Sequence, residues 1–148
     1  MIKVCLMNSK EKKELKSMMI EEFGSAINGV LYLGSKGKVF LGTKWSMLID
    51  LKSVNAEGVG VYIGRINPDG FRPTIEGVQL LRPTKNVFEL SKEQVWDWLR
   101  GYPVTLDTKY EGYCALSYKG ELLGPGKISR GKLWNYVPKE RRIKRLIR

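Results

Sequence analysis

Short apolar runs interrupted by glycine dominate the chain, and helical spacing of apolar residues appears in only a few places. Residues 2–7 form an apolar run of strand length. Asn8 then stands where a helix N-cap would, with Glu11 three residues on to complete a capping box. Leu15, Met18, Met19 and Phe23 share one helical face, Lys10, Lys12, Lys13 and Lys16 decorate the opposite one, and Gly24 supplies the stop. The stretch 29–50 alternates apolar runs with glycine, and Ser35-Lys36-Gly37 reads as the turn of a hairpin between 30–33 and 38–41. Residues 58–66 read as a strand that meets a Pro68-Asp69-Gly70 turn, and 71–81 as a loop followed by another strand. A strand at 87–90, a helix opened by the Ser91/Gln94 capping box and closed by Gly101, and a strand at 104–106 follow. On that helix Val95, Trp98 and Leu99 face one way, which predicts Trp98 in the core. Trp96 faces elsewhere, as a packed surface residue or a stacking platform.

The last third is the densest in turn signals. Lys119-Gly120, Gly124-Pro125-Gly126 and Arg130-Gly131 separate three runs rich in aromatic and branched residues, 113–118, 121–123 and 133–137. Strands that turn this often predict a small closed or nearly closed barrel. The pattern as a whole predicts an α+β fold: a small N-terminal α/β module over 1–55, then a β-pseudobarrel with a capped helix over 56–148.

Composition narrows the function. At 148 residues and 43% apolar content the chain is a globular one, with no run long enough to span a bilayer as a helix. No signal peptide opens it, so a cytoplasmic location without membrane attachment is expected. The net charge is +11, and residues 119–148 hold ten Lys or Arg against Glu121 and Glu140, which puts +8 in that segment. Such a balance favours an anionic partner. The tail 139–148 has six cations among ten residues, with Ile143, Leu146 and Ile147 at helical spacing; it is expected to dock on the barrel and touch phosphates. There is no histidine, which removes the commonest general base and metal ligand. Cys5 and Cys114 lie far apart in apolar runs without metal spacing and are expected to be buried, reduced thiols.

The order Tyr118, Gly120, Leu123, Gly124, Gly126, Lys127, Gly131, Leu133, Asn135, Pro138 and Lys139 resembles the PUA-like domain at the C-terminus of the Fmu/Sun family of RNA cytosine 5-methyltransferases. The similarity extends upstream through Thr84-Lys85-Asn86 and Trp98-Leu99-Arg100-Gly101. The resemblance implies a PUA-like β-α-β entry to the barrel and RNA binding in the service of RNA modification, here without the methyltransferase domain. By fold-level analogy the N-terminal part is like the modules that precede PUA domains in some ribosome-assembly factors.

Catalysis by the chain itself is not expected. Those methyltransferases use a cysteine that follows proline or threonine, whereas Cys5 follows Val4 and Cys114 follows Tyr113. The Gly58-x-Gly60-x-x-x-Gly64 run has the wrong spacing for a dinucleotide loop and continues as a strand. No carboxylate pair suits acid–base work, and no cofactor or metal is implied. The reading is therefore an RNA-binding protein in tRNA or rRNA modification or ribosome assembly, with structured RNA as partner and a separate RNA methyltransferase as a second one. A ribosome-associated interaction scaffold is the alternative, and a subunit of an RNA cytosine 5-methyltransferase a third. Expected phosphate contacts are Lys85, Lys119, Lys127, Arg130, Lys132, Lys139, Arg141, Arg142, Lys144 and Arg145. Arg82 would extend the patch. Asn135 and Tyr136 would make finer contacts through an amide and a ring.

Overall fold

The computed structural model describes residues 4–48, 58–135 and 141. β1 (Val4–Leu6) leads into α1 (Ser9–Phe23), whose start is fixed by reciprocal bonds: Asn8 Oδ1 accepts from the Glu11 amide and Glu11 Oε1 accepts from the Asn8 amide. Gly24 takes the left-handed conformation that ends the helix. β2 (Val30–Gly34) and β3 (Lys38–Gly42) form the expected hairpin, and a 3-10 turn, Lys44–Leu48, follows. β4 (Val61–Asn67) pairs back on β3, and the Pro68-Asp69 turn returns the chain as β5 (Gly70–Pro73). Among the described residues these strands form one antiparallel sheet in the order β1-β2-β3-β4-β5.

Residues 75–81 are not a strand. They form α2 (Ile75–Leu81), capped by Thr74, whose hydroxyl accepts from the Gly77 amide. The helix buries Val78 and Leu81 on one side, which requires a 3.6-residue period and not a two-residue one.

β6 (Val87–Glu89), α3 (Lys92–Leu99) and β7 (Val104–Thr105) come next, with the Ser91/Gln94 capping box in place. β8 (Gly112–Tyr118), β9 (Glu121–Ser129) and β10 (Lys132–Asn135) are successive hairpins. Their turns use residue pairs at positive φ, Lys119-Gly120 and Arg130-Gly131, as two-residue hairpin loops that follow the strand twist require. The second sheet runs β6-β8-β9-β10-β7 and curls into a half-barrel, with α3 joining its two edge strands. The fold is α+β with a barrel-like second module, as the pattern predicts.

Gly124-Pro125-Gly126 is not a turn. It lies inside β9, which continues to Ser129. Packing selects the glycines: a Cβ on Gly124 would come within 3.1 Å of the Trp98 ring, and one on Gly126 would overlap Leu133. Pro125 is tolerated because its partner Ala115 sends its N–H to the Asn86 carbonyl of the β6 side, so the proline nitrogen faces away from β8.

Two cores result. Leu15, Met19, Phe23, Leu31, Val39, Ile63 and Phe71 pack between α1 and the first sheet; Leu90, Trp98, Val104, Cys114, Leu116, Ile128 and Leu133 pack under α3. β8 serves both, because Tyr113 points into the first core while Cys114 and Leu116 point into the second. The first sheet takes strands from both sides of residue 55, and the change of sheet comes after α2. Cys5 is exposed, contrary to the expectation of burial: in β1 only Val4 turns inward, and alternation puts Cys5 outside. Cys114 is buried, and desolvation pushes its thiol up to about 12, which makes it unreactive.

Candidate RNA interface

Strand alternation builds the interface on the face of the second sheet turned away from α3. Ile128 and Leu133 are core residues, so Lys127 and Ser129 on β9, and Lys132 and Trp134 on β10, point the other way. Register aligns Tyr113, Lys127 and Trp134 as direct cross-strand neighbours, and sets Lys132 between Ser129 and Thr105. Side chains so paired stand about 5 Å apart at Cβ. Trp134 is 48% exposed, a large apolar ring left to solvent beside two lysines. That combination of cations and an open ring suits phosphate and base contact.

The row is anchored to the first sheet. Lys127 Nζ lies 5.3 Å from the Tyr113 ring centroid and donates to Asp69 Oδ2 in the β4–β5 turn. The Tyr113 hydroxyl donates to Asp69 Oδ1 (2.9 Å), and Asn67 Nδ2 donates to that hydroxyl (3.0 Å). The Lys127 hydrogen bond, aided by Tyr113, holds the Asp69 carboxyl below its ordinary range. Asp69 thus fixes Lys127 at the middle of the row.

The other expected contacts are distributed. Lys119 and Arg130 occupy the turns at opposite ends of β9, separated by roughly 25 Å of strand. Lys119 lies over the Tyr118 ring (5.4 Å), and the Arg130 amide donates to Glu111. Lys85 lines a cleft between the two modules with Glu21, Glu22, Asp69, Asn86 and Tyr110. Burial raises the Glu22 carboxyl to about 7, with Asp69 and Glu21 adding to the shift and the Phe71 amide opposing it. Lys85 thus shares its cleft with carboxylates, among them Asp69, the partner of Lys127. Arg141 donates to Glu76 Oε1 on α2 (2.7 Å). Burial alone would raise the Glu76 carboxyl, but the Arg141 bond and its own backbone amide hold it below the usual range. Arg82 is exposed and caps α2 in the left-handed conformation.

Asn135 closes β10 opposite Gly126. Its side chain, together with Tyr136, Lys139, Arg142, Lys144, Arg145 and the expected tail helix, lies outside the described residues. The interface thus gathers Lys127 and Lys132 of the expected set and adds Trp134, for which the parity of Lys132 and Trp134 around the core residue Leu133 is the available signal. Trp96 is half-buried. Among the described residues no cluster of His, Cys, Asp and Glu could hold a metal ion, and no helix is long and apolar enough to cross a membrane.

Residues 85–143 match the family model described as the methyltransferase RsmF PUA domain. This part of the chain is similar to the PUA domain of that methyltransferase family, and the match supports an RNA-binding role in an RNA methyltransferase context. No curated protein matches the chain.

Proposed function

We propose that the protein binds structured RNA, tRNA or rRNA, in the cytoplasm and presents it for modification or assembly, with a separate RNA methyltransferase as its partner and no catalysis of its own. The row Tyr113–Lys127–Trp134 with Lys132 beside it carries this reading, since it joins a fixed cation and a second lysine to an open ring on a domain matched to an RNA-modifying family. Lys127 and Lys132 neutralise phosphates, and Trp134 stacks on a base left unpaired in a loop or at a helix end.

The test is binding of the purified protein to tRNA, an rRNA fragment and a random-sequence DNA duplex across a salt series. Preference for one folded RNA near physiological salt is expected. Equal, weak binding to all three that vanishes with salt would contradict it and favour a protein scaffold. Saturable binding of S-adenosylmethionine would overturn the non-catalytic part.

A further inference from the structure

The outer face of the first sheet is as organised as the Lys127 row. Val39, Ile63 and Phe71 point into the first core, and Ile66 packs against it. Lys38, Phe40, Tyr62, Arg65 and Arg72 therefore lie on the opposite face, with a β-bulge at Ile63 keeping β3 and β4 in phase. Register places Lys38 opposite Arg65, and Arg65 opposite Arg72, giving one cationic row across three strands. Beside it lie the half-buried Phe40 and Tyr62, at 5.5 Å between centroids and with Lys38 Nζ at 5.7 Å from the Tyr62 ring; Tyr32, next in register, is buried. The Tyr32 hydroxyl is hydrogen-bonded to Ser46, which fixes the 3-10 turn Lys44–Leu48 at this face. That turn presents Trp45, 66% exposed, with Lys44 Nζ 5.1 Å from its ring centroid. Arg65 Nε donates to the Lys36 carbonyl, which holds the guanidinium next to the Lys36 turn.

Charge selects the partner. Residues 24–48 and 58–68 contain Lys36, Lys38, Lys44 and Arg65 and no Asp or Glu. Lys38 and Arg65 stand directly opposite one another, and like charges so placed repel, so this pair gains from a polyanion laid across it. The face is also continuous with the Lys127 row. Arg65 and Arg72 belong to the same hairpin as Asn67 and Asp69, which contact Tyr113 and Lys127 two or three residues further on, within roughly 10 Å of strand.

We propose that the outer face of the first sheet is a second RNA surface that holds an unpaired strand of the RNA bound at the Lys127 row. Its phosphates lie on Lys36, Lys38, Lys44 and Arg65, and a base stacks on Trp45. The proposal rests on the RNA-binding reading above and assigns the first module the task of gripping a single-stranded flank while the PUA-like module holds the folded part. Cations interleaved with aromatic rings on a sheet suit such a strand, because every base has a face to stack and every nucleotide a phosphate.

The test uses the full chain and two RNA probes, a hairpin and the same hairpin carrying an unpaired oligouridine tail. The tailed probe is expected to bind more tightly to the wild-type protein. Combining Lys36→Gln, Lys38→Gln and Lys44→Gln is expected to remove that advantage and to lower the salt slope for the tailed probe by about 2, at roughly 0.7 per phosphate contact on a single strand. Trp45→Ala is expected to weaken the tailed probe by about fivefold or more, the loss of one stacked base. Neither change should alter binding of the tail-less hairpin or the melting temperature. The proposal is overturned if wild-type protein binds both probes equally, or if the lysine variant keeps the full advantage of the tail. In either case the hairpin's loss of binding in Lys127→Ala or Trp134→Ala leaves the RNA-binding reading standing. Failure of the wild-type protein to bind either probe would overturn both.

Discussion

Lys127 of β9 reaches across the module junction to Asp69 in the β4–β5 turn, at 2.5 Å between Nζ and Oδ2, so the central cation of the candidate interface is positioned by a carboxylate of the other sheet. The pair is partly exposed, with the two side chains at 34% and 47%, and its value to stability is at most about 1 kcal/mol. Asp69→Asn is therefore expected to change the melting temperature little and to strengthen RNA binding at low salt by about twofold to threefold, as the competing carboxylate is removed. Titration of RNA against both proteins at low and moderate salt checks this; weaker binding by Asp69→Asn would mean that the carboxylate's positioning of Lys127 outweighs its competition.

The open ring of Trp134 gives a second prediction. Trp134→Ala should leave the fold intact, because the side chain is half-exposed on the outer face, and should cost about 1–3 kcal/mol of RNA affinity if it stacks on a base. Trp134→Phe should retain much of that affinity. Circular dichroism and the same binding titration separate a folding defect from a lost contact.

Glu22 gives a pH dependence of unusual sign for a carboxylate. Its folded pKa of about 7 lies above the ordinary 4.5, so between these values the native state binds the proton more than the unfolded state does. Stability should consequently fall as pH rises from about 4.5 to 7, with solvent screening of the half-buried group limiting the loss to about 1 kcal/mol. Glu22→Gln should flatten that part of the profile and stabilise the protein above pH 7. Denaturant melts at several pH values check both statements.

The glycines inside β9 give the fourth. Gly126→Val should destabilise by about 1–3 kcal/mol, because even a single carbon at that site overlaps Leu133 in the second core. Gly120→Ala, at a turn where a Cβ would meet nothing, should cost about 1 kcal/mol through its positive φ alone. Chemical denaturation of the two variants distinguishes packing from backbone strain.

Much of the fold is legible where the signal is local. Both capping boxes, the Gly24 stop, the 35–37 turn and the Lys119-Gly120 and Arg130-Gly131 hairpins depend on residues within a few positions of each other. What escaped depends on distant partners. Gly124-Pro125-Gly126 has turn composition, but its glycines answer to Trp98 and Leu133. Helix α2 is seven residues long with Gly77 in its first turn, too short for a period to emerge, and it is held by packing on β4 and β9. Cys5 looks buried in an apolar run, yet it sits on an edge strand with one face open. The candidate site follows the same rule. Charge density pointed to the last third as a whole, whereas the pairing of β8, β9 and β10 singled out Lys127, Lys132 and Trp134 and put Lys119 and Arg130 at opposite ends of β9, with Arg141 on Glu76 of α2.

RNA binding by the Lys127 row is tested most directly by titrating one folded RNA against wild-type protein and a Lys127→Ala/Lys132→Ala variant across a salt series. Wild-type binding should persist near physiological salt, and the variant should lose affinity with a salt slope shallower by about 1.4–1.8, two phosphate contacts. An unchanged affinity and slope in a folded variant would contradict the assignment of this face as the RNA interface.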